Sequence, residues 1–262
     1  MSVHATAVVD EAAEIGDVQI GPFAVIEAGV SLADGVVVGA HAVVHSGTQV
    51  GPRTRIDAHA VLGGDPQDRK HDRAVLTRLE IGADNVFREF STAHRGTSHG
   101  PGLTQIGDGN YFMASSHVAH DCVVGDGCMF ANSAAIAGHV KVGDGAILGG
   151  LSAVHQYSRI GRLAMVGGGA MCAQDVPPFS IAQGDRARLY GLNITGLRRG
   201  GIDAETVSVL KDAWRTLFVS DLPRRTAISR VREQHGTVEV VRDLLAFLQT
   251  SERGVCRAGL GQ

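Results

Sequence analysis

Hydrophobic side chains recur at every sixth position over long stretches of this chain. The longest uninterrupted series comprises Ile106, Phe112, Val118, Val124, Phe130, Ile136, Val142, Leu148, Val154, Ile160 and Val166. A six-residue period fits neither the 3.6-residue period of an α-helix nor the two-residue alternation of a long strand. It is typical of the hexapeptide repeat of a parallel β-helix. We predict that three repeats close each triangular coil, that coils stack ~4.8 Å apart, and that the recurring residues point inward.

The residue that follows each recurring hydrophobic position is usually small. Examples are Gly107, Gly125, Gly143, Gly149 and Gly161. Because glycine tolerates backbone conformations that other residues avoid, we expect this position to let the chain turn each corner. The same period runs from Val3 to Leu62, with one step of five residues between Ile15 and Ile20 that predicts a shortened corner.

Two polar segments interrupt the repeat. Residues 63–78 are rich in charged and turn-forming residues, and residues 95–104 are rich in glycine. Ile81, Phe87 and Ala93 keep the six-residue period between the two segments. Insertions in a solenoid leave the stack as loops on one face, which is often the binding face. We therefore expect both loops to lie beside a site.

The pattern changes beyond the last repeat. Apolar residues adopt helical spacing in residues 203–219, 222–234 and 237–250, which predicts three amphipathic helices. We divide the chain into a hexapeptide-repeat β-helix over residues 1–185 and a C-terminal helical domain over residues 186–262. Such helices are expected to cover the end or the flank of the solenoid.

Composition narrows the classes of function. The net charge of −3 over 262 residues argues against general binding of nucleic acid. The four cysteines show no metal-ligand spacing, and the N-terminus lacks the features of a secretory signal, so we expect reduced thiols in a cytoplasmic protein. No apolar stretch is long enough to span a bilayer.

The densest cluster of reactive side chains lies in residues 116–122, with the sequence SHVAHDC. Histidine is the natural general base near neutral pH, and the adjacent Asp121 is placed to orient the ring of His120. His139 follows nineteen residues after His120, about one coil further on, so histidines on successive coils are expected to form a ladder. The sequence leaves the direction of the His120 side chain open, and any single histidine here is also compatible with an ordinary polar surface.

A metal site is a second interpretation of the same histidines. His117 and His120 are three residues apart, which suits tetrahedral zinc, as in hexapeptide proteins of the γ-carbonic anhydrase type. We favour a site without metal, because that family pairs its histidines at a wider spacing.

Longer motifs point to one family. The chain resembles the bacterial UDP-N-acetylglucosamine 3-O-acyltransferases of lipid A biosynthesis over nearly its whole length. The resemblance rests on residues 94–97 (HRGT), 117–122 (HVAHDC), 137–140 (AGHV), 153–156 (AVHQ), 173–178 (AQDVPP), 181–184 (IAQG), 191–194 (GLNI) and 196–199 (GLRR).

The resemblance implies a left-handed parallel β-helix with a C-terminal α-helical domain, assembled as a homotrimer with sites between subunits. It implies transfer of a 3-hydroxyacyl chain from acyl carrier protein to the 3-hydroxyl of UDP-N-acetylglucosamine, with no cofactor. Some members acylate a 3-amino sugar instead, and that alternative stays open. Arg186, Arg188, Arg198 and Arg199 are a candidate basic patch for the acidic carrier protein.

The resemblance also assigns residues. His120 would be the general base, Asp121 its partner, and the backbone N–H of Gly138 the donor to the oxyanion. Gly168, near Met165, would leave the acyl channel open and so favour a longer chain. Contacts with the sugar, the pantetheine, the acyl group or the nucleotide would come from Asp68, Lys70, His94, His117, His139, His155, Gln156, Asn193 and Arg199.

Overall fold

Strands of two to five residues, joined by short corners, make up most of the protein. The computed structural model describes residues 1–259. The strands are β1 (Ser2–Val3), β2 (Val8–Val9), β3 (Glu14–Ile15), β4 (Gln19–Ile20), β5 (Val25–Ile26), β6 (Ser31–Leu32), β7 (Val37–Val38), β8 (Val43–Val44), β9 (Thr48–Val50), β10 (Arg55–Ile56), β11 (Val61–Gly64), β12 (Arg78–Ile81), β13 (Val86–Phe87), β14 (Thr92–His94), β15 (Leu103–Ile106), β16 (Tyr111–Phe112), β17 (His117–Val118), β18 (Val123–Val124), β19 (Met129–Phe130), β20 (Ala135–Ile136), β21 (Lys141–Val142), β22 (Ile147–Leu148), β23 (Ala153–Val154), β24 (Arg159–Ile160), β25 (Met165–Val166), β26 (Met171–Cys172), β27 (Ser180–Gln183) and β28 (Arg188–Leu192).

From β1 to β26, every third strand joins the same sheet in parallel, which confirms the β-helix. Sheet A begins with β1 and β4, sheet B with β2 and β5, and sheet C with β3 and β6. Register follows the coil, so Val118 of β17 pairs with Ile136 of β20, eighteen residues later. We name the corners by the sheets they join: A–B, B–C and C–A.

The recurring hydrophobic residues fill the interior as predicted. All eleven members of the series from Ile106 to Val166 are buried, and Phe87, Phe112 and Phe130 stack along the axis. Burial of this apolar column is the main source of stability in such a fold. The first coil differs, because no coil lies beneath it, and Val3 is 40% exposed.

The small residue after each interior position has a different role from the one predicted. Left-handed backbone occurs two residues further on, often without glycine, as at Asp121 (φ 59°) and His139 (φ 62°). The small residue instead allows close approach of the next coil. A methyl group added at Gly149 would lie 2.5 Å from the nitrogen of Gly168. The predicted short corner between Ile15 and Ile20 is confirmed.

The outer surfaces of the three sheets differ in polarity. Outward residues are polar or charged along most of sheet C, as at Glu14, Gln49 and Lys141. Along sheets A and B they are mostly apolar. Examples are Val37, Val86, Met129 and Ile147 on sheet A and Val25, Val43, Val61 and Ala135 on sheet B.

The C-terminal region closes one end of the solenoid. Helices α1 (Ile194–Arg199), α2 (Ala204–Phe218), α3 (Arg224–His235) and α4 (Glu239–Gln249) follow the last strand, so the three predicted helices are confirmed and α1 is additional. Strands β27 and β28 form an antiparallel hairpin on sheet A, and the predicted domain boundary at residue 185 falls within it. Residues 260–262 of the predicted domain lie outside the described residues. Within residues 1–259 no helix is long and apolar enough to cross a membrane.

Candidate active site

Both predicted loops leave the stack at the B–C corner and contact each other. The first joins β11 to β12, and the second joins β14 to β15. The Ser98 hydroxyl accepts a hydrogen bond from the Asp72 nitrogen at 2.8 Å, and the Ser98 nitrogen donates to His71 Nδ1 at 3.1 Å. His99 Nε2 lies 3.4 Å from an Asp68 oxygen. The two insertions therefore form one cover over the B–C corner.

His120 and Asp121 form a hydrogen-bonded pair beneath this cover. His120 Nδ1 lies 2.8 Å from Asp121 Oδ2, and the His120 side chain is 13% exposed. Because an ionised carboxylate only accepts hydrogen bonds, Nδ1 donates to Asp121, and Nε2 is the ring nitrogen that accepts a proton from a neutral His120. The left-handed backbone at Asp121, whose nitrogen donates to the Thr104 hydroxyl, turns the two neighbouring side chains toward each other.

The Asp121 carboxylate is buried but saturated with hydrogen bonds. Burial alone would raise its pKa, but hydrogen bonds from His120 and from the Thr97 hydroxyl and nitrogen outweigh burial and hold the pKa of Asp121 below its ordinary value. Thr97 Oγ1 lies 2.7 Å from Oδ2, and the Thr97 nitrogen lies 3.0 Å from Oδ1. The carboxylate therefore remains charged at neutral pH and can stabilise a protonated His120.

The predicted histidine ladder exists only in part. His139 stands one coil above Asp121, eighteen residues on, with its Nε2 3.6 Å from Asp121 Oδ2 and its ring edge-on to His120. One coil beyond His139 the equivalent residue is Tyr157, whose ring stacks on His139 with centroids 4.4 Å apart. His155 makes no ring contact with these histidines among the described residues. Burial lowers the pKa of His139, so its ring is neutral near pH 7.

His94 and His117 form a second, more buried pair. Their rings pack edge to face with centroids 4.9 Å apart, and Thr92 Oγ1 lies 2.7 Å from His117 Nδ1. Burial and then the neighbouring His117 lower the pKa of His94 to about 4, and burial also lowers the pKa of His117. Both side chains are neutral polar groups on the wall of the site.

Gly138 lies directly against the His120 ring. A methyl group at residue 138 would lie 2.6 Å from His120 Nε2. The Gly138 carbonyl accepts from the Tyr157 nitrogen, whereas the Gly138 nitrogen donates no hydrogen bond within residues 1–259. A free backbone N–H beside the unprotonated nitrogen of a histidine can stabilise an oxyanion.

The other predicted substrate residues are dispersed. Hydrogen bonding by the Lys70 nitrogen and the nearby charges of His99 and His120 lower the pKa of Asp68, so this first-loop residue faces the histidines of its own chain. Asn193 is buried as the N-cap of α1, with Oδ1 accepting from Gly196 and Nδ2 donating to the Leu163 carbonyl. Its amide is therefore used within the fold, while Arg199 is exposed at the end of α1.

The residues predicted for the acyl channel, Met165 and Gly168, lie on sheet A and at the A–B corner rather than at the B–C corner. A methyl group at Gly168 would meet only the Gly150 carbonyl, at 3.4 Å, so this A–B corner has space for a larger side chain. Met165 is half-buried on sheet A, and the exposed Gln156 follows His155 in the chain. His155 lines a cavity of about 490 Å³ together with Met171, Arg186 and Arg253.

The structure argues against a reactive cysteine and against a metal site that includes His117. All four cysteines are buried and free, and burial raises the pKa of Cys122 to about 12, which excludes a reactive thiolate. Among residues 1–259, one group of side chains has ligand atoms close enough together for a metal ion. It consists of His120, Asp121 and His139, with ligand atoms within 4.8 Å, and it does not include His117. The Asp121 oxygens in this group already accept hydrogen bonds from Thr97 and His120.

Two residues of the site, Thr97 and Tyr157, were not predicted from the sequence. Thr97 belongs to the HRGT motif, but nothing in that motif indicates its bond to Asp121. Tyr157 could have been found by counting eighteen residues from His139, the spacing that the strand register follows.

A triangular stack of hexapeptide coils, with a histidine–carboxylate pair at one covered corner, defines a transferase of the hexapeptide-repeat class. Residues 103–138 match the bacterial transferase hexapeptide model, and residues 175–256 match domain 2 of UDP-N-acetylglucosamine O-acyltransferase. The chain belongs to the UDP-N-acetylglucosamine O-acyltransferase family.

Full-length relatives support this assignment. The chain is 50% identical over 262 residues to the acyl-[acyl-carrier-protein]–UDP-N-acetylglucosamine O-acyltransferase of Trichlorobacter lovleyi, covering 98% of this chain and 100% of the relative. It is 44% identical to the enzyme of the same name from Syntrophobacter fumaroxidans, covering 98% and 100%. The crystal structure of UDP-N-acetylglucosamine O-acyltransferase from Moraxella catarrhalis superposes with a TM-score of 0.95 at 36% identity, covering 98% and 100%.

Proposed function

We propose that this protein transfers a 3-hydroxyacyl chain from acyl carrier protein to the 3-hydroxyl of UDP-N-acetylglucosamine, the first acylation of lipid A biosynthesis. The observation that carries the proposal is the hydrogen-bonded pair of the largely buried His120 and the buried Asp121, with His120 Nε2 close to Gly138, whose N–H makes no hydrogen bond within residues 1–259. The names of the full-length relatives specify the donor and the acceptor.

The arrangement supports direct transfer without an acyl-enzyme. His120 Nε2 removes the proton of the sugar 3-hydroxyl as its oxygen attacks the thioester carbonyl carbon. Asp121 stabilises the imidazolium that forms, because it stays ionised and bonded to Nδ1. The tetrahedral intermediate then expels the thiolate of the carrier protein, which takes the proton from His120, and an ester remains on the sugar.

Gly138 has a backbone role in this reaction. Negative charge develops on the thioester oxygen in the tetrahedral intermediate, and we assign its stabilisation to the N–H of Gly138, a residue that packs against the His120 ring. Such a donor contributes on the order of 3 kcal/mol to the transition state.

Substrate binding is distributed over the covered corner and the end of the solenoid. We assign the sugar to the corner lined by Asp68, Lys70, His94, His117 and His139, and the nucleotide to Arg199. Asn193 uses its side-chain amide to cap α1, so it supports the nucleotide site without contacting the nucleotide. His155 and Gln156 face the donor, whose acyl chain runs past Met165 to Gly168. The open space at Gly168 favours a chain longer than ten carbons.

The polarity of the sheets supports a homotrimer. Apolar outer faces on sheets A and B meet at the A–B corner, whereas sheet C is polar. Contact of sheet A of one chain with sheet B of the next is heterologous, and such contacts form a three-membered ring when each chain is rotated by a third of a turn from the last. In such a ring we assign the exposed Arg199 of one chain to the nucleotide bound at a neighbour's covered corner. A solution mass three times the chain mass of 27.4 kDa is expected from sedimentation.

Surface charge and thiol chemistry support the proposed donor and location. Arg186 is exposed beside the His155 cavity, Arg188 is exposed two residues further on, and Arg198 and Arg199 are exposed at the end of α1, which suits an acidic carrier protein. Four buried, free thiols support a reducing compartment, the cytoplasm.

The first test is acyl transfer from a series of 3-hydroxyacyl carrier proteins to UDP-N-acetylglucosamine, with His120→Ala beside the wild type. We expect transfer by the wild type and a loss of at least about 10³-fold in the variant. Undiminished transfer by His120→Ala would remove this residue from the mechanism. Transfer only to the 3-amino analogue would change the acceptor, and a stoichiometric metal in an inactive protein would favour the zinc alternative.

A further inference from the structure

The second loop, residues 95–102, makes contacts in two directions that the proposed reaction does not yet explain. On one side Thr97 binds the Asp121 carboxylate through both its nitrogen and its hydroxyl. On the other side Ser98 and His99 contact the first loop, which carries Asp68. Two adjacent residues therefore face two different parts of the site.

Thr97 lies inside the site, next to Asp121, and not on the protein surface. It is completely buried, and its hydroxyl hydrogen is directed at the same carboxylate oxygen that accepts from His120. The loop backbone also lies close to this carboxylate. A methyl group at Gly96 would lie 2.8 Å from Asp121 Oδ1, and one at Gly100 would lie 3.1 Å from Oδ2.

Ser98 contacts the first loop. Its hydroxyl accepts from the Asp72 nitrogen, and its nitrogen donates to His71, so it holds the chain segment just beyond Asp68 and Lys70. The residues of the first loop that we assign to the acceptor, Asp68 and Lys70, immediately precede that segment.

We propose that the second loop contains two positioning residues for this reaction: Thr97 fixes the Asp121 carboxylate that orients His120, and Ser98 fixes the acceptor-binding first loop. This inference rests on the proposed function. It adds residues that act through others and touch no reacting atom.

The two roles predict different kinetic effects. In Thr97→Val the side chain keeps its shape but loses the hydroxyl, so the carboxylate loses a charge-assisted hydrogen bond. We expect kcat to fall by about tenfold to a hundredfold with little change in acceptor KM. In Ser98→Ala the Asp72 nitrogen loses its partner, and we expect acceptor KM to rise about fivefold with kcat nearly unchanged.

The pH profile separates positioning from simple structural support. The Thr97 hydroxyl and His120 share one oxygen of Asp121. Without that hydroxyl, more of the carboxylate's negative charge is available to stabilise the His120 imidazolium. The acid limb of kcat/KM therefore moves to higher pH in Thr97→Val. Other groups that set the field there are unchanged in the variant: His94, His117, His139, His99 and Asp68.

The experiment measures kcat, acceptor KM and the pH profile for the wild type, Thr97→Val, Thr97→Ser and Ser98→Ala. Thr97→Ser restores the hydroxyl and is expected to recover most of kcat and the wild-type profile. Nitrogen-15 spectra of the histidine rings report the titration midpoint of His120 without any substrate, and this midpoint should rise in Thr97→Val alone.

Several outcomes would overturn the inference. Wild-type kinetics in Thr97→Val would remove Thr97 from the site, and identical losses in Thr97→Val and Ser98→Ala would indicate general collapse of the loop. If the wild-type protein transfers no acyl group, the proposed function fails, and the ring spectra still decide whether Thr97 controls His120.

Discussion

Two corners of the same solenoid hold histidines in the same backbone conformation but in different surroundings. At the A–B corner, Phe23, His41, His59 and Phe90 stack as exposed rings with centroids 4.9 to 5.0 Å apart. We name this set the A–B ring column. At the B–C corner, Asp121, His139 and Tyr157 occupy equivalent positions on successive coils, and we name them the site column. The repeat supplies a position for a side chain at every corner, and neighbouring groups decide what that side chain does.

What distinguishes the site column is a carboxylate and a cover. Asp121 introduces a buried negative charge next to His120, and the two loops exclude most solvent from the pair. The A–B ring column has neither feature, so its histidines serve packing between rings. The same residue type thus becomes a candidate base only where burial and a fixed charge coincide.

The largest expected effect comes from removing the charge of the site column. Asp121→Asn presents an amide that cannot accept all the hydrogen bonds made by Thr97 and His120, and it no longer stabilises the imidazolium. We expect kcat for acyl transfer to fall by about 10³-fold or more. Asp84→Asn is the matched control, because Asp84 has the same left-handed backbone at a C–A corner. Equal losses in both variants would contradict a special role for Asp121.

Acid should destabilise the covered corner more than the exposed one. The pKa of His94 is about 4 in the folded protein and about 6.5 when unfolded, so the unfolded chain binds more protons between these values. Stability is therefore lost as pH falls from about 6.5 to 4, on the order of 3 kcal/mol for this residue. Denaturant unfolding at fixed protein concentration should show a shallower pH slope in His94→Gln than in the wild type. His59→Gln should retain the wild-type slope, and a steep slope in His94→Gln would contradict the assignment.

Crowding the base is expected to have the next largest effect. Gly138→Ala places a methyl group 2.6 Å from His120 Nε2, so the ring must move from its position beside the proposed oxyanion donor. We expect kcat to fall by about 10²-fold. Gly150 occupies the same repeat position at an A–B corner, where a methyl group meets only the Asn132 carbonyl at 3.3 Å. Gly150→Ala should retain most activity, and comparable losses would indicate a general demand for glycine there.

The smallest effect is expected from the A–B ring column. Replacing His41 and His59 together by serine removes two stacked rings near the proposed subunit contact. We expect the trimer to weaken by about 1 kcal/mol per chain, measured by sedimentation across a dilution series, with kcat of the intact trimer unchanged. A loss of kcat in the undissociated trimer would show that this corner also shapes the site.

The repeat made the fold predictable but not the corner chemistry. The six-residue period predicted which residues point inward, since Val118 and Ile136 must face the same core. It did not indicate which corner residue takes the left-handed conformation, and the glycine after the strand was chosen wrongly. The left-handed turn at Asp121 sets the directions of the His120 and Asp121 side chains. The direction of His120 was therefore not predictable without knowing which corner residue takes that conformation.

Other features depend on contacts that no local pattern encodes. The bond between Thr97 and Asp121 joins residues 24 positions apart through an inserted loop. Asn193 caps a six-residue helix too short to produce a periodic signal. The family resemblance supplied residue roles, but it gave no information on which atoms those residues use inside the fold.

The eighteen-residue coil also limits how the chain length can change. Adding or deleting one whole coil shifts later residues along the axis and leaves each on its original face. Adding a single hexapeptide between Asp121 and His139 would instead move His139 and Tyr157 from the B–C corner to the C–A corner, away from His120. In this part of the protein, viable insertions and deletions therefore come in units of eighteen residues, except where extra residues loop out from a corner as they do between β11 and β12.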